Sequence, residues 1–170
     1  MKIKFPFLLL IAFTGANAQG TWVKKANLPA IGRLSSFAFE INGKGYIGTG
    51  WDGANVLDDF WEYDAGTNSW TQKANYPGGP IYFSIGFAIG NKGYAGVSSS
   101  IINELYEYNP STNTWTQKTS MPGMMRSNAA AFSLNGIGYI TTGYLNTTLN
   151  DTWAFNPATN AWTQKANFPT

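Results

Sequence analysis

The sequence predicts an all-β fold built from a repeated four-stranded unit, and three observations support this prediction. Two-residue turns separate pairs of short apolar runs, and aromatic residues alternate along a third run in each unit. A tryptophan recurs with its neighbours at spacings of 48, 45 and 47 residues, as Trp22, Trp70, Trp115 and Trp162. A period in this range is typical of repeat proteins, in which each repeat is one supersecondary unit.

The first two strands of each unit are predicted to form a hairpin. Its turns are Asn42-Gly43, Gly90-Asn91 and Asn135-Gly136, each between two apolar runs. A tight hairpin turn needs positive φ at its central residues, which Asn and Gly adopt readily. The predicted first strands lie near 34–41, 82–89 and 127–134, and the predicted second strands near 44–50, 92–98 and 137–143.

The third strand of each unit is predicted from aromatic residues that lie two positions apart. These pairs are Trp61/Tyr63, Tyr106/Tyr108 and Trp153/Phe155, and a period of two places both rings on one face of a strand. The third strands begin at 58, 103 and 150. Turns rich in Asn, Asp, Pro and Thr follow at 64–68, 109–113 and 156–160.

The recurring tryptophan then opens the fourth strand, which completes the unit. A lysine three positions later (Lys25, Lys73, Lys118 or Lys165) is interpreted as a charge that protects an exposed sheet edge, in preference to a basic ladder for an anionic ligand. Four antiparallel strands per unit predict the blades of a β-propeller. The predicted blades span about 30–76, 78–121 and 123–168.

The strand count leaves the predicted ring incomplete. The segment after Trp22 predicts an extra outer strand at 21–28, so residues 19–170 are expected to form three four-stranded blades plus that strand. Propellers typically close with 4–8 blades. We favour the N-terminal part of a longer propeller, and the surplus strand argues against a six-bladed ring made from two chains. If this chain is made alone, an exposed blade face and self-association are expected.

The N-terminus is predicted to be a signal peptide at residues 1–18. Lys2 and Lys4 precede an apolar run at 5–13, and Ala16-Asn17-Ala18 follows. The run is shorter than the roughly 20 residues that span a bilayer. This predicts a secreted, periplasmic or cell-surface protein with no membrane insertion after cleavage. Cleavage would leave nine basic and nine acidic residues, which disfavours a nucleic-acid partner.

The composition limits the chemistry that the chain can perform. It contains no cysteine and no histidine. The usual thiolate and imidazole ligands of zinc and copper are therefore absent, as are Ser-His-Asp and Cys-His arrangements. We expect no metal, no cofactor and no assignable catalytic residue.

These units resemble kelch repeats in the Asn-Gly turn, the Gly-Tyr pair of the second strand, the aromatic third strand, the Thr-Asn turn and the tryptophan. They depart from the kelch Gly-Gly doublet, where this chain has Thr49-Gly50, Val97-Ser98 and Thr142-Gly143. The resemblance covers 21–170 and implies a kelch-type β-propeller of a divergent, secreted bacterial-type branch. Kelch domains in general are binding scaffolds for protein or other ligands.

Only the loop between the second and third strands varies in length. It spans 12, 9 and 11 residues after Tyr46, Tyr94 and Tyr139. Strand alternation places it beside the loop that leads from each fourth strand to the next first strand, and binding residues concentrate on such loops. We call this surface the loop face. Its candidate ligand-binding residues are Arg33, Trp51, Asp52, Tyr82, Arg126, Tyr144 and Asn146, with Asn55 nearby.

Two functions stay open on this face. The first is a secreted module that binds a glycan or a protein, with Trp51 and Tyr144 as stacking or anchoring rings. The alternative role of each ring is to cover a neighbouring blade. Arg33 and Arg126 would then pair with ligand carboxylates, and Asp52 and Asn146 would accept hydrogen bonds. The alternative is a metal-independent sugar-acid enzyme, since secreted sialic-acid epimerases are similar to kelch propellers. Its base would be Asp52 or Glu40.

Overall fold

The computed structural model describes residues 20–98 and 102–169, so the predicted signal peptide lies outside the described residues. Within these residues the chain forms three four-stranded antiparallel sheets, each in chain order. The first blade contains β1 (Phe37–Ile41), β2 (Lys44–Trp51), β3 (Val56–Asp64) and β4 (Ser69–Lys73). The second contains β5 (Ile85–Ile89), β6 (Lys92–Ser98), β7 (Ile102–Asn109) and β8 (Thr114–Lys118). The third contains β9 (Ala130–Leu134), β10 (Ile137–Thr141), β11 (Thr152–Asn156) and β12 (Ala161–Lys165).

The predicted hairpins are confirmed, with the same register in each blade. Phe39 pairs with Tyr46, and Phe87 pairs with Tyr94 in the equivalent place. The first strands are shorter than predicted, because they begin at 37, 85 and 130. The chain first turns through a left-handed residue at Ser35, Phe83 or Asn128, with φ of 58°, 57° and 54°. A left-handed residue interrupts the extended backbone, and the regular pairing of each first strand begins after it.

A β-bulge explains how the chain tolerates the loss of the Gly-Gly doublet. The register of β2 against β3 shifts between Gly48 and Gly50, and that of β6 against β7 shifts between Gly96 and Ser98. The intervening residues, Thr49 and Val97, have φ of 62° and 46°. Glycine adopts this conformation without a steric cost. Thr49 and Val97 therefore hold a strained backbone conformation, and the bulge is retained without glycine at these positions.

The blades pack through aromatic residues that meet between neighbouring sheets. Strand β1 lies against β5, and β5 lies against β9, so the first strands form the inner edge of the arc. Phe60 of the first blade contacts Tyr108 of the second with ring centroids 4.8 Å apart, and Tyr94 contacts Phe155 of the third at 5.7 Å. Among the described residues, no strand of the first sheet contacts a strand of the third.

The recurring tryptophan joins each blade to the segment before it, in an arrangement that we call the latch. Trp115 Nε1 donates to the carbonyl of Ala74 at 2.9 Å, and the Ala74 amide donates to Asn113 Oδ1 at 3.0 Å. Ala74 is the residue that follows β4 of the preceding blade. Trp162 and Asn160 hold Thr119 in the same way, at 2.8 and 3.1 Å. The constant spacing of Asn and Trp in the repeats of this chain thus serves packing between blades.

The extra outer strand expected at 21–28 is not formed. Residues 20–28 carry no strand, and Trp22 is fully exposed. A fourth strand forms by pairing with a third strand, and no third strand in the described residues pairs with this segment. Ala26 instead fills the latch of the first blade, where Trp70 Nε1 donates to its carbonyl at 3.0 Å and its amide donates to Asn68 Oδ1 at 2.9 Å.

Candidate functional site

The two sets of loops that form the loop face lie side by side. Leu34, in the loop before β1, forms a reciprocal pair of backbone hydrogen bonds with Trp51 at the end of β2, both of 3.0 Å. Ser127 and Tyr144 form the same pair in the third blade, at 3.0 and 2.9 Å. Trp51 and Tyr144 therefore occupy equivalent positions on the loop face, in different blades.

An apolar groove crosses this face between the first and second blades. It has a volume of about 360 Å³ and is lined by Leu34, Trp51, Val56, Tyr82 and Phe83. Trp51 is 38% exposed and Leu34 is 51% exposed. Two of the predicted residues, Trp51 and Tyr82, are thus brought together in one concave surface. Pockets of this kind, lined mainly by apolar and aromatic side chains, are typical of ligand sites.

A second concavity, which we call the inner cleft, adjoins the groove where all three blades approach the inner edge. It is about 200 Å³ in volume and is lined by Ser35, Ser36, Phe83, Ser84, Asn128 and Ala129. Phe83 lines both the groove and the cleft. The Ser36 and Ser84 hydroxyls are engaged with Thr49, at 3.0 and 3.1 Å, whereas the Asn128 side chain is exposed.

The left-handed residues of the inner cleft recur at one repeat position in every blade. They are Ser35, Phe83 and Asn128. Positive φ is uncommon outside glycine and is unfavourable for a bulky residue such as Phe83. Backbone strain of this kind concentrates at functional sites. Among these residues Phe83 is the bulky one, and it lies where the groove and the inner cleft meet.

Arg126 is buried in an ion pair and is not available to a ligand. Its side chain is fully buried, and its two terminal nitrogens donate to the Asp151 carboxylate at 2.7 and 2.8 Å. Nη1 also donates to the Thr142 carbonyl at 3.0 Å, so both N–H groups of this nitrogen are engaged. Trp153 Nε1 donates to the same carboxylate at 2.6 Å. The expectation that Arg126 holds a ligand carboxylate is replaced by a structural role.

Arg33 repeats this arrangement in the first blade. It forms a two-pronged ion pair with Asp59, in which Nη1 donates to Oδ1 and Nη2 donates to Oδ2 at 2.7 Å. Trp61 Nε1 donates to Asp59 Oδ2 at 2.7 Å. Only 3% of the Arg33 side chain is exposed, so it too lies below the ligand-accessible surface. In the second blade, Ile81 occupies the arginine position and is buried.

Neither candidate base is placed to act as one. Asp52 accepts from the backbone amides of Asn55 and Ala54, at 2.6 and 2.8 Å, and so closes its own loop. These hydrogen bonds lower the pKa of Asp52, which makes it a weaker base. Glu40 accepts from the amide of Gly43 at the hairpin turn, the end of the sheet opposite the loop face.

Tyr144 and Asn146 lie in the third blade, outside the groove. Both are exposed, and Asn146 has a left-handed backbone with φ of 59°. Of the seven candidate residues, two line the groove, three are used within the fold and two remain exposed elsewhere on the loop face.

Within residues 20–98 and 102–169, no three acidic residues cluster closely enough to hold a metal ion. In the same residues, no helix is long and apolar enough to cross a membrane.

Sequence reasoning missed Leu34, Val56 and Phe83 in the groove, together with the residues of the inner cleft. The signal in the sequence that points to these residues is a change of residue type, and not a change in loop length. At one invariant phase of the repeat the three blades carry Leu34-Ser35-Ser36, Tyr82-Phe83-Ser84 and Ser127-Asn128-Ala129. This is a change of residue type within a frame of constant length, and it marks the positions that line the groove and the cleft.

The ion pairs predict an acid-sensitive stability. The hydrogen bonds from Arg126 are the largest influence on Asp151 and hold its pKa below the usual value near 3.8. A depressed pKa in the folded state stabilises the protein above pH ~4, and this contribution is lost as pH falls through the folded pKa. We expect the free energy of unfolding to fall below about pH 4, as measured by urea denaturation.

Asp151→Asn supplies the comparison for this prediction. It keeps the shape of the side chain but cannot titrate, so its stability should fall less steeply with acid than that of the wild type. Asp59 and Glu62 also have lowered pKa values and remain in both proteins. The difference between the two curves therefore reports Asp151 alone, and parallel curves would contradict the prediction.

Comparison with known proteins gives a partial match in sequence and a broader match in fold. Residues 125–169 match the family model described as "Kelch motif". A solved structure titled "Structure of YjhT" is similar over 85% of this chain, with a TM-score of 0.70 and 21% identity. The match covers 54% of that structure, so this chain spans about half its length. The search of curated proteins found no match.

At this identity the structural likeness establishes the fold alone. The three sheets share one register, one latch and one order of strands, and the last of them contains the matched motif. The first two sheets are therefore repeats of the same unit as the third. The described residues therefore form three blades of β-propeller type, and the third of these contains the segment that matches the kelch motif.

Proposed function

We propose that this chain is a secreted binding module that holds a protein ligand on its loop face, with an apolar side chain of the ligand in the groove. Kelch-repeat propellers are binding scaffolds in general, and the finer assignment is our own. One observation carries it: Trp51, Tyr82 and Phe83 come from two blades to line a single apolar groove. Aromatic residues of this kind are enriched at the centres of protein interfaces.

The composition of the groove favours a protein ligand over a glycan. Sugar recognition needs polar groups that converge beside the stacking ring. Here Asp52 is occupied by its own loop, and Arg33 and Arg126 are buried in ion pairs. No charged side chain lines the groove. The sugar-acid enzyme loses support for the same reason, because both arginines that would hold the substrate carboxylate are already paired.

A displayed library of random peptides tests the proposal. We expect enrichment of peptides that carry a large apolar side chain. Trp51→Ala and Tyr82→Ala should each weaken a selected peptide by about tenfold or more, the range of interface hot spots. Tyr144→Ala is the matched control, since it removes an exposed aromatic ring of the same face outside the groove, and it should leave affinity unchanged.

Two results would contradict the protein-binding assignment. One is peptide binding that does not respond to Trp51→Ala or Tyr82→Ala. The other is binding on a glycan array that Tyr144→Ala abolishes, which would favour the glycan hypothesis.

The proposal that the protein is secreted rests on residues 1–18 and is tested separately. N-terminal sequencing of the exported protein is expected to begin at Gln19, and retention of residues 1–18 would refute it.

A further inference from the structure

The first and third blades each neutralise an acidic residue at the loop-face end of the third strand. In the third blade, Arg126 pairs with Asp151, which also accepts from Trp153 Nε1 at 2.6 Å. Arg33 and Asp59 repeat this pairing in the first blade. Each carboxylate therefore binds a guanidinium through two parallel charge-assisted hydrogen bonds, which are among the strong ones in proteins.

The second blade has the acid without the arginine. Glu104 occupies the position of Asp59 and Asp151, whereas Ile81 occupies the arginine position. Within the described part of the chain, the Glu104 carboxylate accepts one hydrogen bond, from the Tyr106 hydroxyl at 2.9 Å, and has no ion pair. It is also partly exposed. Glu104 is therefore a loop-face acid to which the described residues supply no cation, unlike its two equivalents.

Glu104 lies at the junction of blades that also forms the groove. Side chains two positions apart share one face of a strand. Tyr106 contacts Tyr76, which follows β4 of the first blade, with ring centroids 5.2 Å apart, so Glu104 also faces the first blade. The groove is formed between the same two blades. A ligand segment that fills the groove therefore lies at the junction that holds this acid.

A second acid faces this junction from the first blade. Asp58 lies two residues before Phe60, which packs on the second blade, so both side chains point toward that blade. The Asp58 carboxylate accepts from a side-chain amide at 3.2 Å, and no cation pairs with it in residues 20–98 and 102–169. Between the second and third blades, the equivalent positions carry the neutral Asn103 and the paired Asp151. The two junctions thus differ in charge at their loop-face ends.

A buried hydroxyl beside Glu104 has no partner. Tyr76 is 1% exposed, and among the described residues nothing forms a hydrogen bond with its hydroxyl. A Cβ added at Gly96 would touch both this hydroxyl and the Glu104 carbonyl. Burial raises the pKa of Tyr76, and the neighbouring Tyr106 and Glu104 raise it further. Buried polar groups without a partner are rare in proteins, so the polar contacts around Glu104 are incomplete.

The third blade shows what fills this place when an arginine is present. A Cβ added at Gly123 would lie 3.0 Å from Arg126 Nη2, and one added at the equivalent Gly78 would lie 2.8 Å from the Tyr76 hydroxyl. The hydroxyl therefore stands where the other junction has a guanidinium. A hydroxyl is uncharged, so the charge of Glu104 is not neutralised by it.

We infer that the protein ligand proposed above places an arginine side chain against Glu104, beside the apolar side chain that fills the groove. The inference rests on the proposed function and adds the chemistry of a second contact. Arginine is expected, and not lysine, because a planar guanidinium matches a carboxylate through two hydrogen bonds, as it does at Asp59 and Asp151. The negative charge of Asp58 at the same junction also favours a basic ligand.

The displayed library of random peptides tests this contact as well as the groove. Peptides selected by the wild type should be enriched in arginine close to the large apolar residue. Selection on Glu104→Gln should keep the apolar enrichment and lose the arginine. Glu40→Gln is the matched control, since it removes an exposed carboxylate at the end of the first blade opposite the loop face. It should select the same peptides as the wild type.

A synthetic peptide from that selection measures the contact directly. Citrulline in place of its arginine keeps the shape but removes the charge, and should weaken binding to the wild type by about tenfold. Glu104→Gln should weaken the arginine peptide equally. The two changes together should cost no more than either alone, because both remove one interaction. Losses that add would overturn the inference.

A variant that copies the junction of the second and third blades controls for misfolding of Glu104→Gln. Its changes are Tyr76→Met, Ile81→Arg, Glu104→Asp and Tyr106→Trp, which are the residues found at the equivalent positions 121, 126, 151 and 153. It should keep the unfolding midpoint of the wild type and bind the arginine and citrulline peptides equally. A retained preference for arginine would contradict the inference.

The arginine contact and the groove assignment fail in different ways. Peptides selected for an apolar residue alone would overturn the arginine contact and leave the groove assignment intact. A wild type that selects no peptide, or whose peptides do not respond to Trp51→Ala, would overturn the proposed function and this inference with it.

Discussion

Asp151→Ala is expected to lower the free energy of unfolding by about 3 kcal/mol, the usual cost of removing one partner of a buried ion pair. Arg126 has no exposed side-chain surface, so its guanidinium would remain charged and buried without a counterion. The substitution also removes the acceptor of Trp153 Nε1. Urea denaturation followed by tryptophan fluorescence measures the loss at pH 7.

The second blade supplies the control for this experiment. There the buried Ile81 stands at the arginine position, which shows that the site accepts an aliphatic side chain. Replacement of a buried ion pair by apolar residues is often neutral. The double variant Arg126→Ile, Asp151→Ala should therefore be more stable than Asp151→Ala alone. The ion-pair explanation fails if the double variant is the less stable of the two.

Phe60→Ala is expected to cost about 3–5 kcal/mol, the range for a large aromatic residue removed from a core. Phe60 is fully buried. It contacts Tyr46 at 5.6 Å in its own blade, and Tyr108 and Trp115 at 4.8 and 4.9 Å in the next. Its removal opens a cavity at the junction of two sheets, which neither sheet can close by moving independently.

Phe168→Ala is the matched control, because that ring is 57% exposed. Exposed substitutions usually change stability by about 0.5 kcal/mol or less. The same urea titration compares both variants with the wild type. Equal effects of the two substitutions would mean that Phe60 does not join the first and second blades.

Local features of the sequence predicted the architecture well. Each hairpin depends on a two-residue turn such as Asn42-Gly43, where left-handed backbone is needed at adjacent positions. Each third strand depends on alternation over a few residues, as at Trp61 and Tyr63. Such signals act between near neighbours in the chain, so they are readable without knowledge of the fold.

The candidate site was only partly predictable, because its chemistry depends on residues distant in the chain. Arg33 resembles a ligand-binding arginine until Asp59, 26 residues away, is placed against it. The segment at 21–28 resembles the other fourth strands, but within residues 20–98 and 102–169 no third strand pairs with it. Trp51 and Phe83 belong to different repeats, and only the packing of two blades makes them walls of one groove.

By itself the sequence determined the all-β class, the four-stranded repeat and the kelch resemblance, since turn propensity and side-chain alternation are local properties of the chain. The tertiary structure decided which polar groups are free for a ligand, since burial and ion pairing depend on contacts between strands and between blades. It likewise decided the burial of equivalent residues, since Phe132 occupies the repeat position of the buried Phe39 and Phe87 but is 46% exposed in the described structure.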